Sequence, residues 1–218
     1  LAASAVLTVT ACSSGPGDQA AAGSAAVPAD ALGNGMVVTA NPVATRVGAA
    51  VLRRGGSAVD AAVAIESVLS LVEPQSSGFG GGAFMMYFDA STDTLVAYDG
   101  REVAPAGVDE NLFLDENGDV LGFLQAKNSG LSIGVPGVVS MLALAHDEHG
   151  VLPWASLFDD AIELAEGGFD ASPRLRSFFE KYGKRLITST PEEGPMDAYE
   201  YFFDEQDNYS LRSAWRLH

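Results

Sequence analysis

From Ala58 to about Val72 the chain runs AVDAAVAIESVLSLV, and only Asp60, Glu66, Ser67 and Ser70 interrupt an apolar surface that goes all the way round. A helix of that composition has no face to offer water, so it belongs in the middle of a fold. It is too short to span a bilayer, which takes about 20 apolar residues. The natural expectation is a central helix packed on a sheet. Its ends are legible too. Ser57 and Asp60 have the spacing of a capping box, in which the Ser side chain accepts from the backbone while the carboxylate reaches back, and Pro74 stops the helix.

The neighbouring segments fit around this helix. Met36 to Ala40 is a short apolar run suited to a strand, and Asn41-Pro42 opens a helix, because Asn accepts an orphan N–H while Pro has none to lose. Val43, Val47 and Val51 share one face of it, Arg53 and Arg54 occupy its last turn, and Gly55-Gly56 ends it. After the central helix come SSGFGGG at 76–82, strands at Ala83–Phe88 and Thr94–Tyr98 joined by a polar turn, and a loop DGREVAP at 99–105. Three further helices are predicted: Gly137 to His149, Trp154 to Glu166, and Pro173 to about Leu186 opened by Ser172.

The ends read differently. Residues 1–12 form a lipoprotein-type export signal, with LAASAVLTVTA leading to VTAC and Cys12 as the acylated residue, so the protein is expected to be exported to the periplasm or cell surface and held by a lipid anchor. Residues 13–32 are rich in Gly, Ala, Ser and Pro, the composition of a flexible tether. The folded domain is placed at 33–208, and 209–218 is an atypical tail. Glu192 to Asp207 carries seven acids and no base.

Charge and cysteine content exclude several chemistries. With 12 Lys and Arg against 29 Asp and Glu the net charge is −17, which opposes binding to a phosphate backbone and excludes nucleic acid as a partner. Cys12 is the only cysteine, so an intramolecular disulfide, a Cys-based zinc site and an iron–sulfur cluster are ruled out by counting. No metal or cofactor is expected. The DENGD segment at 115–119 lacks the Gly and Glu that a calcium loop needs. In the HDEH segment, His146 and His149 match no zinc motif and read as surface histidines favoured by a helix C-terminus. GFGGG at 78–82 leads into a strand without Gly-Lys-Ser/Thr, so it is no phosphate loop; its glycines mark a close approach of backbone to another element or to a ligand. No GxSxG elbow occurs. Arg101 stands out as a cation on the loop after the hairpin. Its fork suits a carboxylate, while a surface ion pair with Glu102 or another acid is the simpler account from the residues alone.

Four blocks in order resemble the large-subunit part of the γ-glutamyltransferase (glutathione hydrolase) family: GMVVTANPVATRVGAAVLRRGGSAVDAAVA, EPQSSGFGGGAFM, DGREVAPAG, and SGLSIGVPGVVSMLALAHDEHGVLPWASLFDDAIELAEGGF. The resemblance implies an α+β chain forming a partial N-terminal-nucleophile hydrolase αββα sandwich, its sheet incomplete without the small subunit. It implies attack by a threonine, exposed by self-cleavage of a precursor, on the γ-glutamyl bond of glutathione or a related compound, followed by transfer to water or to an amino acid or peptide. It assigns Arg101, in the R-E-x-A-P motif, to the α-carboxylate of the glutamyl group. Glu102 is implied as an orienting partner, and Gly80–Gly82 as tight packing near the site. None of His146, His149 or His218 follows a Thr, so the nucleophile's Thr-Thr-His motif is absent from these residues, and the chain alone is expected to be inactive and to expose apolar surface. The alternative is a non-enzymatic exported lipoprotein module that binds a partner or a γ-glutamyl ligand.

Overall fold

The structure is a computed structural model describing residues 35–127 and 129–183. Cys12, the 13–32 segment, the acidic run Glu192–Asp207, the 209–218 tail and His218 lie outside the described residues, as does the C-terminal end of the last predicted helix.

Helix α1 spans Pro42–Arg53 and α2 Ala58–Val72. Both start as their caps dictate. The Asn41 side chain accepts from Val43 N at 2.9 Å with Pro42 in the first turn. Ser57 Oγ accepts from Asp60 N at 3.1 Å, and Asp60 Oδ2 accepts from Ser57 N at 2.7 Å. Gly55, at φ 86°, takes the chain out of α1 through a conformation that favours glycine. The two helices cross closely at Gly48, where a Cβ would stand 2.8 Å from Ile65 Cγ1.

Strands β1 (Ala83–Asp89) and β2 (Thr94–Gly100) form an antiparallel hairpin in which Met85 pairs with Tyr98 and Tyr87 with Val96. A five-residue helix, α3 (Phe123–Lys127), follows, then α4 (Val138–His149), α5 (Asp159–Gly167) and α6 (Pro173–Phe178). Helix α2 is central, as its composition predicts, but its cover is helical. It packs on α1, α4, α5 and the 3-10 turn Trp154–Leu157, while the hairpin joins the same core mainly through α4. An all-round apolar helix specifies burial without specifying what buries it.

Three other expectations need correction. Met36–Ala40 forms no strand among the described residues: Met36 and Val38 are exposed and Val37 leans on α1 beside Gly48. An apolar run becomes a strand only when a partner supplies hydrogen bonds. The helix predicted over 154–166 is a 3-10 turn followed by α5, broken at Phe158, whose ring packs edge-on against Trp154. The helix opened by Ser172 widens into a π-turn over Phe179–Gly183.

The hairpin has one packed face and one bare face. Met85, Tyr87, Val96 and Tyr98 point to the core. On the other side Phe84 is 68% exposed, with Met86, Phe88 and Leu95 also open. β1 and β2 pair only with each other among the described residues.

Candidate functional site

Arg101 follows β2 directly. Asp99 Oδ1 accepts from Arg101 N at 2.9 Å, a local turn that peels the chain off the strand end. The Arg101 side chain is 66% exposed, and its NH1 lies 2.7 Å from Glu102 Oε2. The ion pair read as the simple account is therefore present. It engages a single guanidinium nitrogen, and the remainder of the fork meets no hydrogen-bond partner among the described residues. An exposed pair of this kind contributes little to stability, so its consequence is orientation.

Glu102 is the better-buried member, and two glycines surround it. A Cβ on Gly82 would stand 2.8 Å from Glu102 N and closer still to its carboxylate; one on Gly134 would be 3.1 Å from Glu102 Cβ. The close-approach reading of the glycine segment thus holds at Gly82. At Gly78 and Gly80 an added Cβ would meet nothing within 4 Å, so the expectation of tight packing across Gly80–Gly82 is corrected at its first position.

The frame around Arg101 is completed by α4. Gly81 O accepts from Gly137 N at 3.1 Å and Val138 N at 3.3 Å, capping a helix that has no side-chain cap. A Cβ on Gly137 would come within 2.9 Å of Arg101 O, and one on Gly100 within 2.6 Å of Met141 Cβ. Val103 and Val135 exchange two backbone hydrogen bonds at 3.3 and 2.8 Å. Glu66 of α2 anchors the other end of the glycine turn. Burial pushes its carboxyl up, against the opposing effect of hydrogen bonds from the Ser77 hydroxyl and Gly78 N–H.

Two buried carboxylates hold the scaffold: Asp60, which the sequence marks only as a helix cap, and Glu73, which it does not single out. Asp60, wholly buried, accepts from Val151 N at 3.1 Å and Leu152 N at 3.2 Å in addition to its capping bond. Glu73, 2% exposed, receives Asn41 Nδ2, Gln75 Nε2, Ser172 Oγ and Arg174 NH1 at 2.6–3.1 Å. Burial pushes Glu73 up, but the bonds from Asn41, Arg174, Gln75 and Ser172 outweigh it and leave its carboxyl below the usual range. Glu73 sits where α2 ends, and Ser57-x-x-Asp60 announced only a cap; neither pattern names partners about 90 to 100 residues away.

The histidines are half-buried rather than open surface groups. His146, 14% exposed, faces Leu152 O at 2.9 Å and Asp60 Oδ1 at 3.4 Å; His149, 24% exposed, stacks on Tyr87 with centroids 4.0 Å apart. They follow Leu142 and Ala145 by four residues, so the buried face of α4 carries them inward. The Tyr98 hydroxyl lies 2.8 Å from His149 Nε2 and donates to Glu148, a bond that with burial pushes its pKa up to about 12. A shallow acidic groove along α5 shares no residue with the Arg101 frame.

A glycine-framed arginine thus stands beside a hairpin that is backed by a helical layer. The family of the chain is shown by sequence: the profile described as Gamma-glutamyltranspeptidase matches residues 44–217, and the chain belongs to that family. It is 43% identical over 160 residues to a glutathione hydrolase proenzyme of Bacillus subtilis, covering 73% of this chain and 27% of that relative. It is 37% identical over 153 residues to the glutathione hydrolase proenzyme of Escherichia coli, covering 70% and 26%. The structure is similar to Helicobacter pylori gamma-glutamyltranspeptidase, with a TM-score of 0.69 and 34% identity across 78% of this chain and 47% of that one. The chain thus spans about a quarter of the length of these curated relatives.

Proposed function

We propose that this chain supplies the substrate-carboxylate grip of a γ-glutamyltransferase that cleaves the γ-glutamyl bond of glutathione and related compounds. In this reading the guanidinium of Arg101 pairs with the α-carboxylate of the glutamyl group, Glu102 holding one nitrogen while the rest of the fork meets the substrate. The γ-carbonyl is attacked by a threonine on polypeptide outside these 218 residues, and the acyl group passes to water or an amine. The observation that carries the reading is Arg101 itself, in the DGREVAPAG block of a chain of this family, mostly exposed and paired through one nitrogen.

The partner is the small subunit of the same precursor, completing the αββα sandwich. The bare face of Phe84, Met86, Phe88 and Leu95 supports this, since an exposed apolar patch of that kind marks an interface. We also infer export and lipid anchoring through Cys12. A Cys12→Ser variant should leave the membrane fraction and lose the mass of its acyl groups.

The test is to supply the threonine-bearing polypeptide and assay release from a chromogenic γ-glutamyl amide. The assembled protein should hydrolyse it and this chain alone should not. Arg101→Ala should weaken transition-state binding by on the order of 2 to 5 kcal/mol, about 30-fold or more in kcat/KM. Activity of the isolated chain, or near-normal kinetics of Arg101→Ala, would overturn the reading.

A further inference from the structure

We propose that Gly82 and Gly134 are positioning residues for Arg101, acting through the Glu102 side chain, Gly82 leaving room for its carboxylate and Gly134 for its Cβ; this rests on the reading of Arg101 as the substrate grip. Glu102 lies between two elements distant in sequence. The end of the glycine turn meets its carboxylate and backbone N, and the residue before Val135 meets its Cβ and Val103 O, the last at 3.3 Å from a Cβ placed on Gly134. Both sides are pinned from outside. Val103 and Val135 exchange backbone hydrogen bonds, and Gly81 O is held by the first N–H groups of α4. The glycine turn, the Arg101 loop and the 134–138 segment therefore close into a ring around one side chain.

That side chain gives Arg101 its only hydrogen-bond partner for the guanidinium among the described residues, at 2.7 Å. A methyl group at Gly82 has no free volume to enter, and one at Gly134 fits only if Glu102 yields by a few tenths of an ångström, so in either case Glu102 moves and the guanidinium moves with it. The seat does not touch substrate. It sets the direction of the group that does.

Gly82→Ala meets the backbone of Glu102 and threatens folding, so Gly134→Ala, whose contacts need only a few tenths of an ångström, carries the test. In the assembled enzyme, Gly134→Ala should raise KM for a γ-glutamyl amide about tenfold with kcat nearly retained, and should add less than about twofold in an Arg101→Ala background. An unchanged KM, or the same tenfold effect in both backgrounds, overturns the proposal. A second measurement needs no activity. In this chain alone, NMR relaxation of the Arg101 Nε–Hε group should report an ordered side chain that becomes mobile in Gly134→Ala and in Glu102→Gln. Unchanged order in both variants overturns the seat. If Arg101→Ala leaves KM at its wild-type value while the relaxation changes as expected, the grip reading has failed and the seat stands as a device that aims the guanidinium.

Discussion

Replacing Glu73 by Ala should be among the most damaging single changes in this chain. The carboxylate ties the start of α1 through Asn41, the loop after α2 through Gln75, and the start of α6 through Ser172 and Arg174. Its removal leaves the buried Asn41 amide without its acceptor and opens a cavity in a wholly enclosed place. An orphaned buried donor costs roughly 1 to 3 kcal/mol, and breaking a buried charged network roughly 3 to 5 kcal/mol. Arg174 is 58% exposed and rehydrates freely, which places the loss near the lower end, about 3 to 4 kcal/mol. For a domain of this size that corresponds to a fall in Tm of roughly 6 to 16 °C. Urea unfolding followed by circular dichroism should rank Glu73→Ala as worst, Glu73→Gln as intermediate because it keeps the volume, and Arg174→Ala as mildest at about 1 kcal/mol. The reasoning fails if Glu73→Ala unfolds within about 1 kcal/mol of the wild type, or if Arg174→Ala is the more harmful change.

Acid titration should separate the two carboxyls. The lowered pKa of Glu73 gives stability that is fully present above its unfolded value of 4.5 and is lost as pH falls through the folded one, whereas the raised pKa of Glu66 makes its protonated form the favoured one. Glu66→Gln should therefore flatten the loss of stability as pH rises through the carboxylate range, and Glu73→Gln should flatten the loss in acid; both are read from unfolding free energies against pH. Tyr98, raised to about 12, contributes stability that is complete below pH 10 and fades above it; Tyr98→Phe should remove that alkaline step in a spectrophotometric titration. Asp60→Ala strips an acceptor from Ser57, Val151 and Leu152 and should destabilise by roughly 3 kcal/mol, measured by the same denaturation. Phe84→Ser with Met86→Ser should lower binding of a hydrophobic dye while leaving Tm within a few degrees, since neither side chain is packed.

What could be read beforehand follows the range of the interactions. Asn41-Pro42 and Ser57-x-x-Asp60 declare helix starts because each cap is satisfied within four residues, and the hairpin of β1 and β2 is equally local. Local rules end at Phe158, where packing of the ring against Trp154 breaks a helix that periodicity would continue. His146 and His149 were misplaced because their polarity outweighed their register on α4. Arg101 was visible through family resemblance; by residue type alone it was a surface pair, and that pair does exist. The Gly134 contact with Glu102 depends on Val103 meeting Val135, a pairing with no mark in either segment. An exposed apolar face was among the expectations raised by the family resemblance, but which side chains line it required the register of the hairpin.

Asp60 also imposes an order of events. Its oxygens are shared between a residue three positions earlier and backbone groups 91 and 92 positions later. During synthesis the first turn of the innermost helix can form early, yet its carboxylate has to stay hydrated until Val151 and Leu152 leave the ribosome. Burying that carboxylate before its two later donors exist would leave a charge short of partners in a dry place, so closure of the centre is expected to follow the arrival of the 151–152 segment.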